Sequence, residues 1–201
     1  LTLAAQSFAT SVAVTMQAPS ALPAGTASNA AALTGTGVAV QVDLDPLVAP
    51  AQEAALVVPY RDADVAGLVE RRLLLARFDA ARQVWVPLES LVDESLNRVS
   101  ARAPRFSVFQ VMAATPREDL SEVRVFPNPL RPALGHRRMT FSNLPAEARL
   151  RVYTLLGELV RDLTAGGSGV ASWDGTNDAG HKAASGVYFV FLQGAGKSRT
   201  I

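Results

Sequence analysis

The sequence predicts an all-β protein built from two tandem β-sandwich domains. Many short segments alternate apolar and polar residues with a period of two, which is typical of half-buried strands. Turns rich in Gly, Pro, Asn and Asp separate these segments at the spacing expected of a sandwich. Only residues 62–71 could form two turns of helix, and Gly67 weakens even that helix.

The predicted strands of the first domain run in close succession. They cover residues 11–17, 37–44, 55–60, 72–78, 84–88, 97–102 and 106–112. Residues 18–36 are rich in Pro, Ser, Gly and Ala, so we expect a long surface loop there. Alternation ends near residue 113, where Pro and charged residues appear. We therefore predict domains at 1–113 and 121–201, joined by a linker at 114–120.

The composition of the chain narrows the classes of function that we expect. The chain has 201 residues, of which 49% are hydrophobic and 18% charged, as in folded globular proteins. With 19 basic and 18 acidic residues the net charge is +1, which gives no reason to expect a nucleic-acid partner. There is no cysteine, so neither disulfides nor thiolate metal sites are expected, and a bacterial origin is favoured.

The sequence shows neither a transmembrane segment nor an N-terminal signal segment. No apolar stretch is long enough for a transmembrane helix. The chain starts at Leu1 without a basic region and apolar core, so we expect that any secretion signal has been removed or lay outside this fragment.

The run from Trp173 to Tyr188 is the most informative motif. A strand ending at Trp173 is followed by residues that tolerate positive φ or bond their own backbone, and a new strand is predicted at 187–192. The residues expected to define this turn and its core are Trp173, Asp174, Gly175, Asn177, Asp178, Gly180, Gly186 and Tyr188. Such a turn holds no catalytic group and indicates a β-hairpin of a sandwich.

Three further motifs precede this turn in order. They are an opening strand with a Pro127-Asn128-Pro129 turn, a second strand at 139–141, and a hairpin at 150–163 that turns at Leu156-Gly157. Together with the Trp173 run, they resemble the C-terminal immunoglobulin-like modules of bacterial secreted proteins, related to the flagellar hook-capping protein and to type IX secretion sorting domains. The resemblance covers residues 122–201. It implies an immunoglobulin-like fold and an extracellular or cell-surface location.

Residues 1–113 show a second resemblance, to the ZU-type β-domains of netrin receptors, ankyrins and bacterial surface proteins. It follows the order of Tyr60, the strand at 73–78, the segment 85–88 and Phe106-Ser107. In some relatives a His-Phe-Ser site cleaves its own backbone, which would assign Phe106 and Ser107 here. Arg105 stands in place of the histidine, and an arginine cannot act as the base that a serine nucleophile needs.

No cofactor or metal site is predicted. Asp174, Asn177 and Asp178 lack the spacing of an EF-hand loop, so turn chemistry explains them better. The carboxylate pairs Asp43 with Asp45 and Asp62 with Asp64 are better explained as solvated, and the question of bound calcium stays open. Two histidines, His136 and His181, do not make a zinc site.

We therefore expect a non-catalytic structural module at the bacterial cell surface or outside the cell, ending in a sorting or anchoring domain. Its expected partners are other protein domains or copies of itself, with possible anchoring to the cell envelope. The first alternative is a self-assembling fibre subunit, in which the terminal segments 1–5 and 197–201 pair with strand edges of neighbouring copies. The second is self-cleavage at Phe106-Ser107.

Overall fold

The chain is all-β, and the predicted sandwich-type fold is confirmed. The computed structural model describes residues 2–3, 8–9, 11–27, 32–48 and 50–201. The chain divides into two compact units, Leu1–Ala114 (unit 1) and Thr115–Ile201 (unit 2). Each unit has its own apolar core.

The described residues of unit 1 form two sheets. The first is a six-stranded sheet in the order β1-β3-β9-β5-β6-β2, antiparallel except where β2 runs parallel to β6. Its strands are β1 (Ala13–Gln17), β2 (Thr26–Ala27), β3 (Leu33–Asp45), β5 (Leu73–Asp79), β6 (Val84–Pro87) and β9 (Val108–Ala114). The second sheet has the order β4-β8-β7, with β4 (Ala54–Pro59), β7 (Ser90–Asp93) and β8 (Arg98–Ala103).

The core of unit 1 is built from residues of both sheets. Its buried members include Val42, Leu56, Val58, Leu73, Leu75, Val99, Phe109 and Val111. Alternate residues of β5 show why this strand lies in the middle of its sheet. Leu73 and Leu75 belong to this core, while Leu74 and Ala76, which point the other way, are equally buried. A strand buried on both faces has the continuous apolar sequence Leu-Leu-Leu-Ala that the chain shows.

Unit 2 also contains two antiparallel sheets. One has the order β10-β11-β14 and the other β13-β12-β15-β16. The strands are β10 (Arg124–Phe126), β11 (Met139–Ser142), β12 (Arg149–Tyr153), β13 (Leu159–Thr164), β14 (Ala171–Trp173), β15 (Phe189–Gly194) and β16 (Lys197–Thr200). The buried core includes Leu120, Phe141, Leu144, Leu150, Val152, Trp173, Val190 and Leu192.

The loop predicted at 18–36 is shorter than expected. Strand β3 already begins at Leu33, and β2 pairs with β6 inside the supposed loop. Gly25 lies so close to its neighbours that a Cβ there would stand 2.8 Å from the Phe78 ring. Small residues allow this close approach. Because the segment is rich in small residues, the sequence pattern did not predict strands there. Residues 62–71, the candidate helix, form only short 3₁₀ turns at Asp62–Val65 and Glu70–Arg72.

The residues predicted as a linker pack against unit 2. Leu120 is buried in the core of this unit. The backbone N–H of Arg117 donates a hydrogen bond to the carbonyl oxygen of Leu144 at 3.2 Å. Residues of the expected linker at 114–120 thus contact unit 2, and local loss of alternation did not reveal the buried leucine among them.

The terminal segments pair within the chain where they are described. Thr2 exchanges two backbone hydrogen bonds with Ala55 of β4, at 2.8 and 2.9 Å. Strand β16 pairs with β15, and Ile201 continues this pairing with Val190. Leu1 and residues 4–5, which the fibre hypothesis also uses, lie outside the described residues.

We predict that unit 2 folds alone and is more stable when its first residues are included. A fragment of residues 115–201 should unfold cooperatively, because it carries a complete core. A fragment of residues 121–201 lacks Leu120 and should be less stable by about 2–4 kcal/mol, the cost of deleting a buried leucine. Urea unfolding followed by tryptophan fluorescence measures both. Equal stability of the two fragments would show that Leu120 does not belong to this core.

Candidate functional site

The predicted turn connects β14 to β15, and Trp173 fixes its start. The indole is buried, and its N–H donates a hydrogen bond to the carbonyl oxygen of Thr176 at 2.8 Å. The Tyr188 ring meets the indole edge to face, with centroids 5.2 Å apart. The Tyr188 hydroxyl donates in turn to the carbonyl oxygen of Ala184 at 2.5 Å. Both ends of the turn are thus held by one aromatic pair.

Asp174 caps the first bend. Its Oδ1 accepts hydrogen bonds from the backbone N–H of Thr176 at 3.1 Å and from the Thr176 hydroxyl at 2.6 Å. Burial alone would raise the pKa of the Asp174 carboxyl, but these hydrogen bonds, together with Arg138 and Arg161, bring the pKa below its ordinary value. The carboxylate is therefore a structural acceptor that stays ionised.

Asn177 organises the tip of the turn. Its Oδ1 accepts hydrogen bonds from the backbone N–H groups of Ala179 at 3.1 Å and His181 at 2.9 Å. Gly180 between them has φ +80°, a left-handed conformation that glycine adopts without strain. His181 accepts a backbone hydrogen bond from Asn177 at 2.8 Å, so this histidine is part of a turn.

Asp178 covers the edge of β13. Its backbone N–H donates to the carbonyl oxygen of Val160 at 3.0 Å, and its Oδ1 accepts from the N–H of Asp162 at 3.3 Å. Arg161 reinforces the contact, since its guanidinium donates to the carbonyl oxygen of Asn177 at 2.7 Å. The Val160 carbonyl and the Asp162 N–H at the edge of β13 therefore have hydrogen-bond partners within the chain. They are not free to pair with a further strand.

The remaining motif residues support the turn or lie at the surface. Pro127 is half-buried, whereas Asn128 and Pro129 are exposed. Leu130 follows them and lies beside Gly175, where a Cβ would meet the leucine side chain at 3.4 Å. The structure thus brings the Pro-Asn-Pro segment next to the Trp173 turn. Gly186 has no heavy atom within 4 Å of a Cβ placed there, so space does not require a glycine.

Ser107 is engaged with the backbone of unit 1. Its hydroxyl donates to the carbonyl oxygen of Phe78 at 2.8 Å, and its own carbonyl oxygen accepts from Val42 at 3.0 Å. Phe106 packs against the unit 1 core. This arrangement uses the hydroxyl as a structural donor.

Three of the four paired aspartates considered for calcium, Asp43, Asp62 and Asp64, have other partners. Both carboxylate oxygens of Asp43 accept from the Gln41 amide, Asp62 accepts from Asn97, and Asp64 pairs with Arg61 at 2.7 Å. Within the described ranges, no group of three or more acidic or histidine side chains is arranged to hold a metal ion.

A shallow groove on the outer face of the β13-β12-β15-β16 sheet was not predicted. It has a volume of about 490 Å³ and is lined by Arg151, Tyr153, Thr154, Leu155, Gly157, Phe189, Phe191 and Thr200. The Arg151 guanidinium lies 5.5 Å from the centroid of the Phe191 ring. One sequence signal was available, since β15 has apolar residues at outward as well as inward positions. Phe189 and Phe191 point outward, while Val190 and Leu192 are buried.

Polar residues border the groove on one side. Arg149 and Asp162 form an ion pair at 2.5 Å, and this hydrogen bond is the main reason why the pKa of Asp162 is low. Arg151 donates to the amide oxygen of Gln193. The groove therefore has an aromatic floor with a charged border.

Comparison with known proteins finds a similar solved structure but no match by sequence. No protein-family model matches the chain, and no curated protein matches it. The chain is similar to a solved structure of PorZ, described as an essential bacterial surface component of the type-IX secretion system of Porphyromonas gingivalis. The sequence identity is 22%, the TM-score is 0.38, and the match covers 67% of this chain and 15% of PorZ.

In the part of the chain that the structure describes, no helix is both long and apolar enough to cross a membrane.

We predict that Trp173 matters more to stability than Asp174. Trp173→Ala should lower the free energy of unfolding by about 3–5 kcal/mol, because it removes a buried aromatic side chain. Asp174→Ala should cost about 1 kcal/mol, the value of a lost turn hydrogen bond. Chemical denaturation of the full chain measures both, with Leu156→Ala, at an exposed position, as the control. Equally small losses for the two variants would indicate that the turn is not coupled to the core.

A pH dependence follows from the lowered pKa of Asp174. A carboxyl with a lower pKa in the folded state stabilises the fold above its unfolded pKa, near 3.9, and loses this contribution as pH falls through the folded pKa. The difference in melting temperature between the native chain and Asp174→Asn should therefore be largest near neutral pH and shrink below about pH 4. Scanning calorimetry at several pH values measures it. A difference that stays constant down to about pH 2 would contradict an ionised Asp174 in the fold.

Proposed function

We propose that the protein is a non-catalytic structural module of a bacterial secreted protein, located at the cell surface or outside the cell. Unit 2 acts in it as a sorting or anchoring domain. The main observation behind this proposal is that the motifs resembling those of sorting domains all lie in unit 2.

The motifs fall on successive elements of unit 2. The opening strand is β10, the second strand is β11, the long hairpin is β12–β13, and the Trp173 run joins β14 to β15. The strands pair accordingly, with β11 between β10 and β14, and β12 between β13 and β15. An ordered set of motifs that builds both sheets of one compact unit supports the resemblance to immunoglobulin-like sorting modules.

The polar residues of the turn support a structural role. Asp174 and Asn177 direct their side-chain oxygens to backbone groups of the same turn, and Asp178 directs its Oδ1 to β13. The Ser107 hydroxyl in unit 1 is likewise bonded to a backbone carbonyl. These hydrogen bonds account for the polar residues by their role in the fold, so no catalytic role is needed to explain them. Unit 1, as an all-β unit, fits the ZU-type resemblance and would serve as a spacer or partner domain.

The test is secretion of a reporter. The full chain, fused to the C-terminus of a fluorescent protein, should bring the reporter to the surface of a bacterium that has type IX secretion. An isogenic strain without the secretion channel should retain it. Protease treatment of intact cells measures the exposed fraction, and the reporter without the chain is the control.

A variant separates sorting from simple leakage. The Trp173→Ala fusion should be retained in both strains if recognition needs the folded unit 2, whereas Leu156→Ala should behave like the native sequence. A periplasmic marker reports on cell lysis. Equal retention of the native fusion in both strains would contradict the sorting role.

A further inference from the structure

We propose that the groove on the outer face of the β13-β12-β15-β16 sheet binds an acidic oligosaccharide, one whose pyranose rings carry carboxylate groups. The aromatic residues of the groove take the apolar face of a sugar ring, and Arg151 takes its carboxylate. This proposal goes beyond the sorting function above, which does not depend on it. Two features support it: the order of the side chains along the face, and the unused hydrogen-bond donors of Arg151.

The pairing of the strands arranges the outer side chains in rows. Tyr153 lies directly opposite Phe189, so the two residues share one row, with their Cβ atoms about 5 Å apart. The next row contains Arg151 and Phe191, two residues away along the strands, or about 7 Å. Gln193 lies in a third row, which is polar. The face therefore changes from aromatic to polar within the length of a small ligand.

Arg149 occupies the carboxylate nearest to Arg151. The Arg149 guanidinium donates hydrogen bonds to both oxygens of Asp162. Arg151 stands opposite Asp162 in the strand register, but it forms no ion pair with this or any other carboxylate in the part of the chain that the structure describes. Arg151 acts on Asp162 only through space, and it lowers the pKa of that carboxyl less than the hydrogen bonds from Arg149 do. The charge of Arg151 thus has no directly bonded anion.

Most of the donors of Arg151 are unused as well. A guanidinium has five N–H donors. Among the described residues, Arg151 uses its Nη2 to donate to the amide oxygen of Gln193, and its buried Nε has no hydrogen-bond partner. The Phe191 ring, whose centroid lies 5.5 Å from the guanidinium carbon, helps to hold the group in the wall of the groove. A guanidinium held in this way is well suited to bind a carboxylate through two N–H groups.

A sugar ring matches the other half of the face. One face of a pyranose presents C–H groups, which pack on aromatic rings because the faces of these rings carry partial negative charge. Phe189 is 46% exposed, so its ring is accessible for such packing. The hydroxyl groups at the rim of the sugar pair with planar polar side chains such as Gln193. A groove of about 490 Å³ lies in the size range of small-ligand sites and has room for one or two sugar residues.

The ion pair on the same face argues against a flat apolar partner. Such a partner would remove the Arg149–Asp162 pair from water, and the loss of hydration is costly. A small polar ligand in the groove leaves this ion pair hydrated. A neutral sugar would use the aromatic residues but would leave Arg151 without an anion. Charge complementarity therefore favours the acidic class of sugars.

Calorimetric titration of the full chain with short oligosaccharides of galacturonic, glucuronic and mannuronic acid tests the proposal. We expect at least one of them to bind with a Kd of about 0.1–1 mM, as a small ligand in an open groove does. The methyl ester of the same oligosaccharide has the same rings without the charge, and it should bind at least about tenfold more weakly. Raising the salt concentration from about 0.05 to 0.5 M should weaken binding of the acid more than that of the ester.

Variants of the groove locate the site. Arg151→Gln removes the charge and Phe189→Ala removes a ring, so each should weaken binding of the acid by at least about tenfold. Arg137→Gln and Leu134→Ala, at exposed positions outside the groove, are the matched controls and should bind like the native chain. Thermal unfolding of each variant reports on the fold. Leu155→Asp adds a negative charge from the turn that lines the groove, and it should also weaken binding if a strand variant fails to fold.

Three results would overturn the proposal. The first is that none of the three acids binds at concentrations up to about 10 mM, a result that leaves the sorting function untouched because the reporter assay measures it separately. The second is equal affinity for the acid and its ester, or native affinity in Arg151→Gln, because the site then does not recognise the carboxylate. The third is native affinity in Phe189→Ala together with Leu155→Asp, which would mean that the sugar binds elsewhere.

Discussion

The hydrogen bond from the Trp173 indole to the Thr176 carbonyl, made inside the core of unit 2, is the contact on which the arrangement of the turn depends. It joins the end of β14 to the first bend, where Asp174 holds Thr176 a second time. The Tyr188 ring closes the other end against the same indole. A long connection between two sheets would otherwise lose much conformational entropy on ordering, and these few contacts at its two ends offset that cost.

The sequence best predicts those elements in which side-chain burial and backbone conformation point to the same local structure. Asn177 bonds its own backbone and Gly180 accepts positive φ, as the turn chemistry of these residue types suggests, and Trp173 is buried with a partner for its N–H. Strand β5 was predicted at 72–78 as a half-buried strand, whereas the structure buries four successive apolar residues on both of its faces.

Other features depend on contacts between residues far apart in the sequence, which local sequence patterns do not reveal. Among the described residues strand β2 covers Thr26–Ala27, and it follows Gly25, which allows a close approach to Phe78. Leu120 looked like part of a linker because its neighbours are charged, yet it fills the core of unit 2. The groove escaped prediction because an aromatic residue in a strand is more often buried than exposed, and only the pairing of β12 with β15 shows that Tyr153 and Phe189 face outward together.

The position of Asp178 has a consequence for the order of folding. Strand β13 belongs to a local hairpin with β12, which can form early because its contacts are close in sequence. The outer edge of that hairpin is covered by Asp178, which lies in the turn that begins at Trp173, so we expect the edge to be covered only once this turn has formed. Between these two events the nascent sheet exposes unpaired amide and carbonyl groups to every other chain in the vicinity. We therefore expect that variants in which the turn closes more slowly leave this edge open for longer and aggregate more during folding, even where their final stability is unchanged.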